Sequence, residues 1–245
     1  MSLQIENLTG GYGHIPVLKD ISFSVASGEL VGLIGLNGAG KSTTIKEIIG
    51  LLTLQKGKIA IDGETLQAQP ESYRKKIGYI PETPSLYEEL TLREHIEVTA
   101  MAYDIPQEVA FKRAEKLLKT FRLENKLDWF PANFSKGMKQ KVMVLCAFLI
   151  EPSLYIIDEP FLGLDPLAIH ALLELMQEMK KEGAAILMST HILATAERYC
   201  DRFVVLHEGK IRAIGTIEEL RTEFDMPGSS LDDIYIALTK EVEVG

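Results

Sequence analysis

A glycine-rich segment carries the clearest chemistry in this sequence. Residues 35–42 read Gly-Leu-Asn-Gly-Ala-Gly-Lys-Ser, a complete G-x-x-x-x-G-K-S phosphate-binding loop. Its glycines let the backbone wrap closely around phosphates, so that the amides of residues 38–43 can point inward at them. Lys41 can bridge the β- and γ-phosphates, and Ser42 can place its hydroxyl on Mg²⁺. The motif predicts a nucleoside triphosphate site formed by Asn37, Gly38, Ala39, Gly40, Lys41, Ser42 and Thr43.

The segments on either side of this loop match the elements that such a loop normally joins. Leu30–Ile34 is a short apolar run of the kind found in buried parallel strands. Lys41–Leu51 has helical periodicity, with Ile45, Ile48 and Ile49 on the inward face. A strand, a glycine-rich turn and a helix in this order favour a phosphate-binding loop over a glycine turn without function.

Two acidic residues at the end of another apolar run form a second candidate set. Leu154–Ile157 reads as a buried strand, and Asp158 and Glu159 follow it. If this strand ends beside the phosphate loop, Asp158 can lie next to Mg²⁺, usually through a water molecule. Glu159 can then orient or deprotonate the water that attacks the γ-phosphorus. A solvated acidic loop is the alternative, and the phosphate loop elsewhere in the chain favours the catalytic interpretation.

The order of the remaining elements predicts how these groups are brought together. Strand-like segments lie at roughly 3–8, 21–25, 30–34, 58–61, 77–80, 153–158, 184–189 and 203–207. Helical patterns run from Thr91 to Met101, from Pro106 to Phe121, from near Ser135 onward, and from Pro166 to Lys181. Apolar strands that alternate with helices predict an α/β fold whose parallel sheet is covered on both faces. The helical block from about Thr91 to Ile150 then forms an insertion beside the sheet.

The C-terminal residues predict a linker and one further helix. Residues 226–230 read Met-Pro-Gly-Ser-Ser, which is typical of a linker. Apolar residues then follow i, i+3, i+4, i+7 spacing from Leu231 to Leu238, behind a capping-box pattern at Ser230 and Asp233. We expect this helix to pack on the rest of the chain, and contact with a partner is the alternative.

Composition limits the kinds of partner and compartment. The 245 residues include 46% hydrophobic and 25% charged residues, which is ordinary for a globular protein. Val142–Ile150 is the longest apolar stretch, far short of the roughly 20 residues that span a bilayer, and we expect no signal peptide. Cys146 and Cys200 lack metal-ligand spacing, so we expect reduced thiols in a cytosolic protein. The net charge of −9 argues against a nucleic-acid partner.

Five motifs in a fixed order resemble the ATP-binding subunit of ABC transporters. Besides the phosphate loop, they are Asp158-Glu159-Pro160, Gly163-Leu164-Asp165-Pro166, Ser189-Thr190-His191 and the segment 134–141 at the family's signature motif. At finer grain, the segments Tyr79–Thr91, Phe134–Met143 and Leu154–Ile169 resemble the ATPase subunit of Ecs-type transporters, a class usually associated with export. The resemblance implies an ABC-type ATPase core with a mainly parallel sheet, an N-terminal antiparallel β part and an inserted α-helical subdomain.

The resemblance also implies a role for individual residues outside the phosphate loop. Tyr12 matches the aromatic residue that stacks on adenine, and His191 matches the residue that contacts the γ-phosphate. Ser135 and Gly137 match signature residues that contact the γ-phosphate of ATP held by the opposite subunit. Asp165 matches the residue that couples the two sites of a dimer. An isolated tyrosine or histidine would otherwise more often be a packing residue.

The sequence departs from the family pattern near the predicted γ-phosphate. Glu82 stands where the family usually has a glutamine that touches Mg²⁺ and the attacking water. A carboxylate can still ligate Mg²⁺, but it adds negative charge beside the phosphates. Lys136 replaces a usual glycine of the signature motif, and Met138 replaces its usual glutamine. These departures leave the hydrolysis rate and its coupling open.

The resemblance implies an assembly as well as a site. Two such ATPase subunits must close face to face around two ATP molecules, and the intact phosphate loop and Glu159 are compatible with a homodimer. An integral membrane permease subunit is expected to dock around residues 82–103, which places the chain peripherally on the cytoplasmic face of the cell membrane. The implied organisation is an ATPase domain at 1–225, with its helical subdomain at about 84–152, and a C-terminal linker and helix at 226–245.

Other functions fit the sequence less well. Asn125-Lys126-Leu127-Asp128 matches the N-K-x-D motif of GTPases, but it lies among helical residues rather than after a buried strand. A small kinase is disfavoured because Asp158 and Glu159 with His191 suit water activation. A soluble ABC-type regulatory ATPase remains the alternative to a transporter subunit. A nucleotide-binding switch that hydrolyses poorly is the third possibility, because of Glu82 and Lys136.

Overall fold

The computed structural model describes residues 2–243, which form two sheets flanked by helices. The strands are β1 Leu3–Tyr12, β2 Ile15–Val25, β3 Leu30–Ile34, β4 Lys56–Ile61, β5 Ile77–Ile80, β6 Leu154–Asp158, β7 Ala185–Thr190, β8 Arg202–His207 and β9 Lys210–Gly215. The helices are α1 Lys41–Ile48, α2 Pro70–Lys75, α3 Leu92–Ala102, α4 Gln107–Phe121, α5 Lys136–Leu149, α6 Pro166–Lys181, α7 Leu193–Tyr199, α8 Ile217–Glu223 and α9 Leu231–Glu243. Short 3₁₀ turns lie at Glu124–Lys126 and Pro131–Asn133.

The larger sheet has six strands in the order β5-β6-β7-β3-β8-β9. Its strands pair in parallel except for β9, which runs antiparallel to β8. Every residue of β3, β6 and β7 is buried, as expected for parallel strands covered on both faces. The smaller sheet is antiparallel in the order β2-β1-β4. The predicted fold class is therefore confirmed.

The neighbouring parallel strands bring separate parts of the sequence to one edge. In the sheet register, Asp158 at the end of β6 pairs with Ser189 of β7, and Thr190 of β7 pairs with Ile34 of β3. The phosphate loop follows Ile34 directly, and His191 follows Thr190. Because the carboxyl ends of these strands lie side by side, the loop, the two acids and the histidine converge at the same edge.

The first two strands are longer than the sequence predicts. The predictions were strands at 3–8 and 21–25, whereas β1 runs to Tyr12 and β2 begins at Ile15. Gly10 and Gly11 read as loop residues, but they pair with Leu18 and Pro16 within the ladder. Long-range pairing across a tight hairpin overrides the local preference of glycine for turns.

Several element ends and short elements also differ from the predictions. Helix α1 ends at Ile48 rather than at Leu51, because Gly50 takes a positive φ of 78° that stops the helix. The sequence patterns also missed α2, α7, α8 and β9, which are only six or seven residues long. Such short segments carry too few residues to show a clear periodicity.

The predicted helical block lies between β5 and β6 as helices α3, α4 and α5. Thr91 and Ser135 cap the first and last of these helices, and each side-chain oxygen accepts a backbone N–H three residues on. The buried side chains of the three helices form one continuous core with those of β6 and α6. We propose that these helices form the subdomain at about 84–152 and that the ATPase domain ends at residue 225.

Helix α9 begins where the capping-box pattern predicts. The side chains of Ser230 and Asp233 each accept the backbone N–H of the other residue. The apolar face from Leu231 to Leu238 packs into a buried cluster with Ile34 of β3 and with side chains of α7 and α8. This helix is therefore part of the folded core. In the described part of the chain, no helix has the length and apolarity that crossing a membrane requires.

Helix α1 buries a carboxyl group beneath the antiparallel sheet. Glu47 is 3% exposed, and neither of its side-chain oxygens has a hydrogen-bond partner among the described residues. A Cβ atom at position 10 would lie 1.8 Å from its Oε1, so Gly10 makes room for this side chain. Burial raises the pKa of Glu47 to about 7, which keeps the carboxyl protonated in mildly acidic solution.

We predict that Glu47→Met stabilises the protein more at about pH 8 than at about pH 5. The folded state holds the Glu47 proton up to about pH 7, whereas the unfolded chain releases it near the ordinary value of 4.5. The native protein therefore loses folding stability as the pH rises from about 4.5 to about 7. Thermal unfolding should show a gain in Tm that is larger by about 5–10 °C at the higher pH. Glu223→Met, at an exposed position, should show no such pH-dependent difference, and an equal gain at both pH values for Glu47→Met would contradict the assignment.

Candidate functional site

A cavity of about 980 Å³ opens at the carboxyl end of β3. It is lined by Tyr12, Val17, Leu36, Asn37, Gly38, Gly40, Lys41, Ser42, Thr43, Glu82, Glu159, Leu162 and His191. Most of the residues that the sequence predicts for nucleotide and metal binding therefore line the same cavity. Four nominated residues lie outside the lining, and they are Ala39, Asp158, Ser135 and Gly137.

The phosphate loop forms the floor between β3 and α1. Gly38 and Gly40 have φ angles of 82° and 112°, in the left-handed region that favours glycine. A Cβ atom at position 40 would also lie 2.7 Å from the Leu18 side chain. The backbone carbonyl of Ala39 accepts a 3.0 Å hydrogen bond from Gly209 N–H, which ties the loop to the β8–β9 turn. Ala39 thus supports the loop from behind rather than facing the cavity.

Lys41 is buried and held by its own loop. Its ammonium group donates to the backbone carbonyls of Gly35 at 2.7 Å and Leu36 at 3.3 Å. The same group lies 3.9 Å from Oε1 of Glu159, and Lys41 is only 6% exposed. A positive charge buried at the mouth of an anion-binding loop is a suitable partner for phosphate oxygens.

Glu159 occupies a strained backbone position at the end of β6. Its φ of 46° is uncommon for a residue with a side chain, and such strain is often found at functional sites. Its backbone N–H donates to Ser189, and its Oε2 lies 2.7 Å from Nδ1 of His191. The backbone N–H of His191 donates to the same oxygen at 3.3 Å. The carboxylate is therefore fixed between His191 and Lys41 at the cavity wall.

Ser189 connects the two acids, a contact that the sequence analysis did not assign. This serine is fully buried, donates its hydroxyl hydrogen to Oδ1 of Asp158, and accepts the backbone N–H of Glu159 at 3.1 Å. The available signal was its place in the Ser189-Thr190-His191 motif, at the end of a predicted strand. Only the pairing of β6 with β7 shows that it holds both acids.

The oxygen donors nominated for Mg²⁺ form a suitable set. Ser42 and Glu82 line the cavity, and Asp158 is buried beside it. Burial raises the pKa of Tyr79 to about 12, with help from the negative charges of Asp158 and Glu82, so both carboxylates lie near one phenol. Among the described residues, no group of three or more His, Cys, Asp or Glu side chains could hold a metal by itself. These donors fit a hard cation that takes its remaining ligands from water and phosphate, as Mg²⁺ commonly does.

Tyr12 stands at the rim of the cavity with a half-exposed ring. Its hydroxyl lies 3.2 Å from the ammonium group of Lys46, and this hydrogen bond lowers the pKa of Tyr12. The ring is 49% exposed and lines the same cavity as the phosphate loop. An exposed aromatic face in this position can stack on a base.

The signature residues lie outside this cavity. Ser135 is the N-cap of α5, and its hydroxyl oxygen accepts the backbone N–H of Met138 at 3.3 Å. Ser135 is exposed. The backbone at Gly137 packs so closely on Gly163 that a Cβ atom would lie 2.4 Å from the Gly163 carbonyl oxygen. Asp165 caps α6 through Ala168 N–H and pairs with Lys141 at 2.7 Å. The N-terminus of α5 is therefore exposed and lies outside the cavity that the phosphate loop lines.

A phosphate-binding loop after a parallel strand, together with acids at the carboxyl end of another strand of the same sheet, defines a P-loop nucleoside triphosphatase. The sequence model of the ABC transporter family matches residues 18–162. The chain is 64% identical, over 98% of its length and 97% of the relative's, to the ABC-type transporter ATP-binding protein EcsA of Bacillus subtilis (strain 168). It is 37% identical, over 85% of its length and 62% of the relative's, to the Nod factor export ATP-binding protein I of Rhizobium meliloti (strain 1021).

A solved ATP-binding subunit of an ABC transporter has the same fold. It superimposes with a TM-score of 0.95 at 60% sequence identity, over 98% of this chain and 100% of that one. The chain belongs to the ABC transporter family as an ATP-binding subunit. It is an ATPase whose hydrolysis is coupled to transport, and the resemblance to Ecs-type ATPase subunits is confirmed.

We predict that Ser189→Ala lowers kcat for ATP by about 10- to 100-fold, because both acids lose the hydroxyl that orients them. The KM for ATP should change little, since Ser189 does not line the cavity. Steady-state phosphate release over a range of ATP concentrations measures both quantities. Ser153→Ala is the matched control, because its hydroxyl bonds Asp62 in an exposed contact. An unchanged kcat in Ser189→Ala would show that Asp158 and Glu159 are held adequately without it.

Proposed function

We propose that this chain hydrolyses ATP as one half of a face-to-face pair, and that closure of the pair drives export through a separate membrane permease. The pair is a homodimer that binds peripherally at the cytoplasmic face of the cell membrane. One observation carries the proposal. Glu159 is bonded to His191 and lies beside Lys41 at the cavity mouth, whereas Ser135 and Gly137 lie outside that cavity.

The buried charges support a role for each residue in hydrolysis. Lys41 exchanges the carbonyls of its own loop for the β- and γ-phosphates when nucleotide enters. Glu159 then loses its nearest cation and acts as the base that takes a proton from the attacking water. His191 keeps this carboxylate oriented and contacts the γ-phosphate. Tyr12 stacks on the adenine, while the amides of residues 38–43 hold the phosphates.

The oxygen donors around the cavity support a magnesium site. Ser42, Asp158 and Glu82 would hold Mg²⁺, with Asp158 acting through water. When bound, the cation neutralises charge that develops on the phosphate oxygens. Ser189 keeps Asp158 turned toward this site by its hydrogen bond. Glu82 adds a negative charge that glutamine would not. Because this charge would repel the phosphates, nucleotide binding in this chain depends more strongly on Mg²⁺.

The exposed signature residues support the pairing of two chains. Ser135 and Lys136 are exposed at the N-terminus of α5, where the hydroxyl and free amides can bind a phosphate. Because they do not line the cavity of their own chain, the ligand that we assign to them is the ATP held by another subunit. The neighbouring Asp165 then couples the two sites. Ligand-driven closure of such a pair is a shift of population that ends when hydrolysis removes the γ-phosphate contacts.

An exposed apolar surface supports a membrane-subunit partner. Tyr87, Val98 and Met101 are 65%, 39% and 76% exposed within the segment 82–103. Trp129 and Phe130 are also exposed, and Leu92 N–H donates to the Trp129 carbonyl, so this loop lies against the start of α3. Exposed apolar side chains concentrated in one segment are the kind of surface that a partner protein covers. The direction of transport rests on the Nod factor export relative and on the class to which Ecs-type transporters are usually assigned.

We predict that Glu159→Gln forms a stable dimer when ATP and Mg²⁺ are added and remains a monomer with ADP. The amide still fits the site but cannot take a proton, so the closed pair persists and kcat falls by about 10²- to 10⁴-fold. Size-exclusion chromatography with light scattering measures the mass. Adding Ser135→Arg should abolish dimerisation, whereas Ser72→Arg, an exposed serine of α2, should not. A Glu159→Gln chain that stays monomeric with ATP would contradict the paired mechanism.

We also predict that the tagged chain recovers a multi-spanning membrane protein in near-equal amount from detergent-solubilised host membranes. Mass spectrometry of the captured proteins identifies the partner. Met101→Glu should reduce recovery several-fold, because it places a charge on the apolar docking surface. Glu223→Gln, at the exposed end of α8, is the matched control. Recovery of soluble proteins alone would argue against the permease partner while leaving the ATPase chemistry intact.

A further inference from the structure

The hydroxyl group of Tyr235 in the C-terminal helix contacts the phosphate loop. Tyr235 of α9 accepts a hydrogen bond from the backbone N–H of Leu36, with an N–O distance of 2.7 Å. The tyrosine is 7% exposed, and burial raises its pKa, so the phenol stays protonated. Leu36 is the second residue of the loop and lines the nucleotide cavity. A residue far outside the sequence motifs therefore bonds to the start of the loop whose later amides are predicted to hold phosphate.

The contact falls on a peptide group that Lys41 also holds. The carbonyl oxygen of Gly35 and the N–H of Leu36 belong to the same planar unit. Lys41 donates to that oxygen at 2.7 Å, and Tyr235 accepts from that N–H at 2.7 Å. When the Lys41 ammonium turns toward phosphate, the oxygen side loses its partner. The Tyr235 hydrogen bond then remains to fix the orientation of the peptide.

Helix α9 is anchored firmly enough to act as a support. The backbone N–H of Leu231 donates to Glu197 of α7 at 2.9 Å, and Arg221 of α8 contacts the same glutamate at 3.1 Å. Arg221 also donates to the carbonyl of Ser229 at 2.8 Å. The apolar face of α9 packs on Ile34, the residue directly before the loop. The tyrosine hydroxyl is thereby held at a defined position relative to the end of β3.

We propose that Tyr235 is a positioning residue for the phosphate loop and that α9 thereby sets the affinity of this chain for nucleotide. The hydroxyl holds the Gly35–Leu36 peptide in place while Lys41 leaves it for the β-phosphate. This inference rests on the proposed role of Lys41. Pre-organising a loop in its binding conformation raises affinity because less ordering is needed on binding. The effect acts on contacts to the α- and β-phosphates, which ATP and ADP share.

Tyr235→Phe tests this inference, because it removes the hydroxyl and keeps the ring that packs in the core. The Kd values of ATP and ADP, measured by isothermal titration calorimetry on the full chain, should rise by the same factor of about 2 to 10. The KM for ATP should rise in parallel, and kcat at saturating ATP should stay within about twofold. A purely structural role would lower Tm and leave the affinities unchanged.

Tyr103→Phe is the matched control, because its hydroxyl likewise bonds a backbone group, the Ile77 carbonyl at 2.8 Å, outside the nucleotide cavity. It should lower Tm to a similar extent with unchanged Kd values. Unchanged nucleotide affinity in Tyr235→Phe overturns the inference, and so does a fall in kcat without a change in Kd. Lys41→Met separates the two proposals. If Lys41→Met binds ATP as tightly as the native chain, the role of Lys41 itself is wrong.

Discussion

The parallel pairing of β6, β7 and β3 is the constraint on which the whole site depends. It fixes the carboxyl ends of three strands side by side, with Asp158 opposite Ser189 and Thr190 opposite Ile34. Groups that are more than a hundred residues apart in sequence then share one cavity. Because these strands are buried on both faces, a slip in register would move apolar side chains out of two cores at once. The packing of the sheet therefore fixes the relative positions of the site residues.

The charged groups of the site are already held in place by hydrogen bonds and an ion pair that involve Lys41 and Glu159. Lys41 is satisfied by carbonyls of its own loop and by the nearby Glu159, so its buried charge is tolerable before nucleotide binds. Glu159 keeps a strained backbone because Ser189 and His191 bond it from two sides. Phosphate would compete for the same lysine. In the mechanism that we propose, nucleotide binding and release of the Glu159 carboxylate are therefore linked through the Lys41 ammonium group.

The elements after β7 have a larger part in the site than their sequence suggests. The β8–β9 turn holds the Ala39 carbonyl, and α9 holds the Leu36 amide, so the phosphate loop is supported from two sides. Neither contact is visible as a motif. The short elements α7, α8 and β9 lack a clear periodicity, and they were missed for this reason. The β8–β9 turn and α9 contact the loop directly, while Glu197 of α7 and Arg221 of α8 hold the start of α9.

The sequence by itself determined the class of the protein, the order of its longer elements and most of the cavity lining. Motifs such as residues 35–42 encode their own geometry, because glycine conformations and helix amides are local properties. Tertiary structure alone decided that Gly10 and Gly11 lie within β1, that Ser189 holds Asp158 and Glu159, and that Tyr235 reaches Leu36. These contacts join residues distant in the chain. Local preference carries no information about them, since they form only when the sheet and its covering helices pack together.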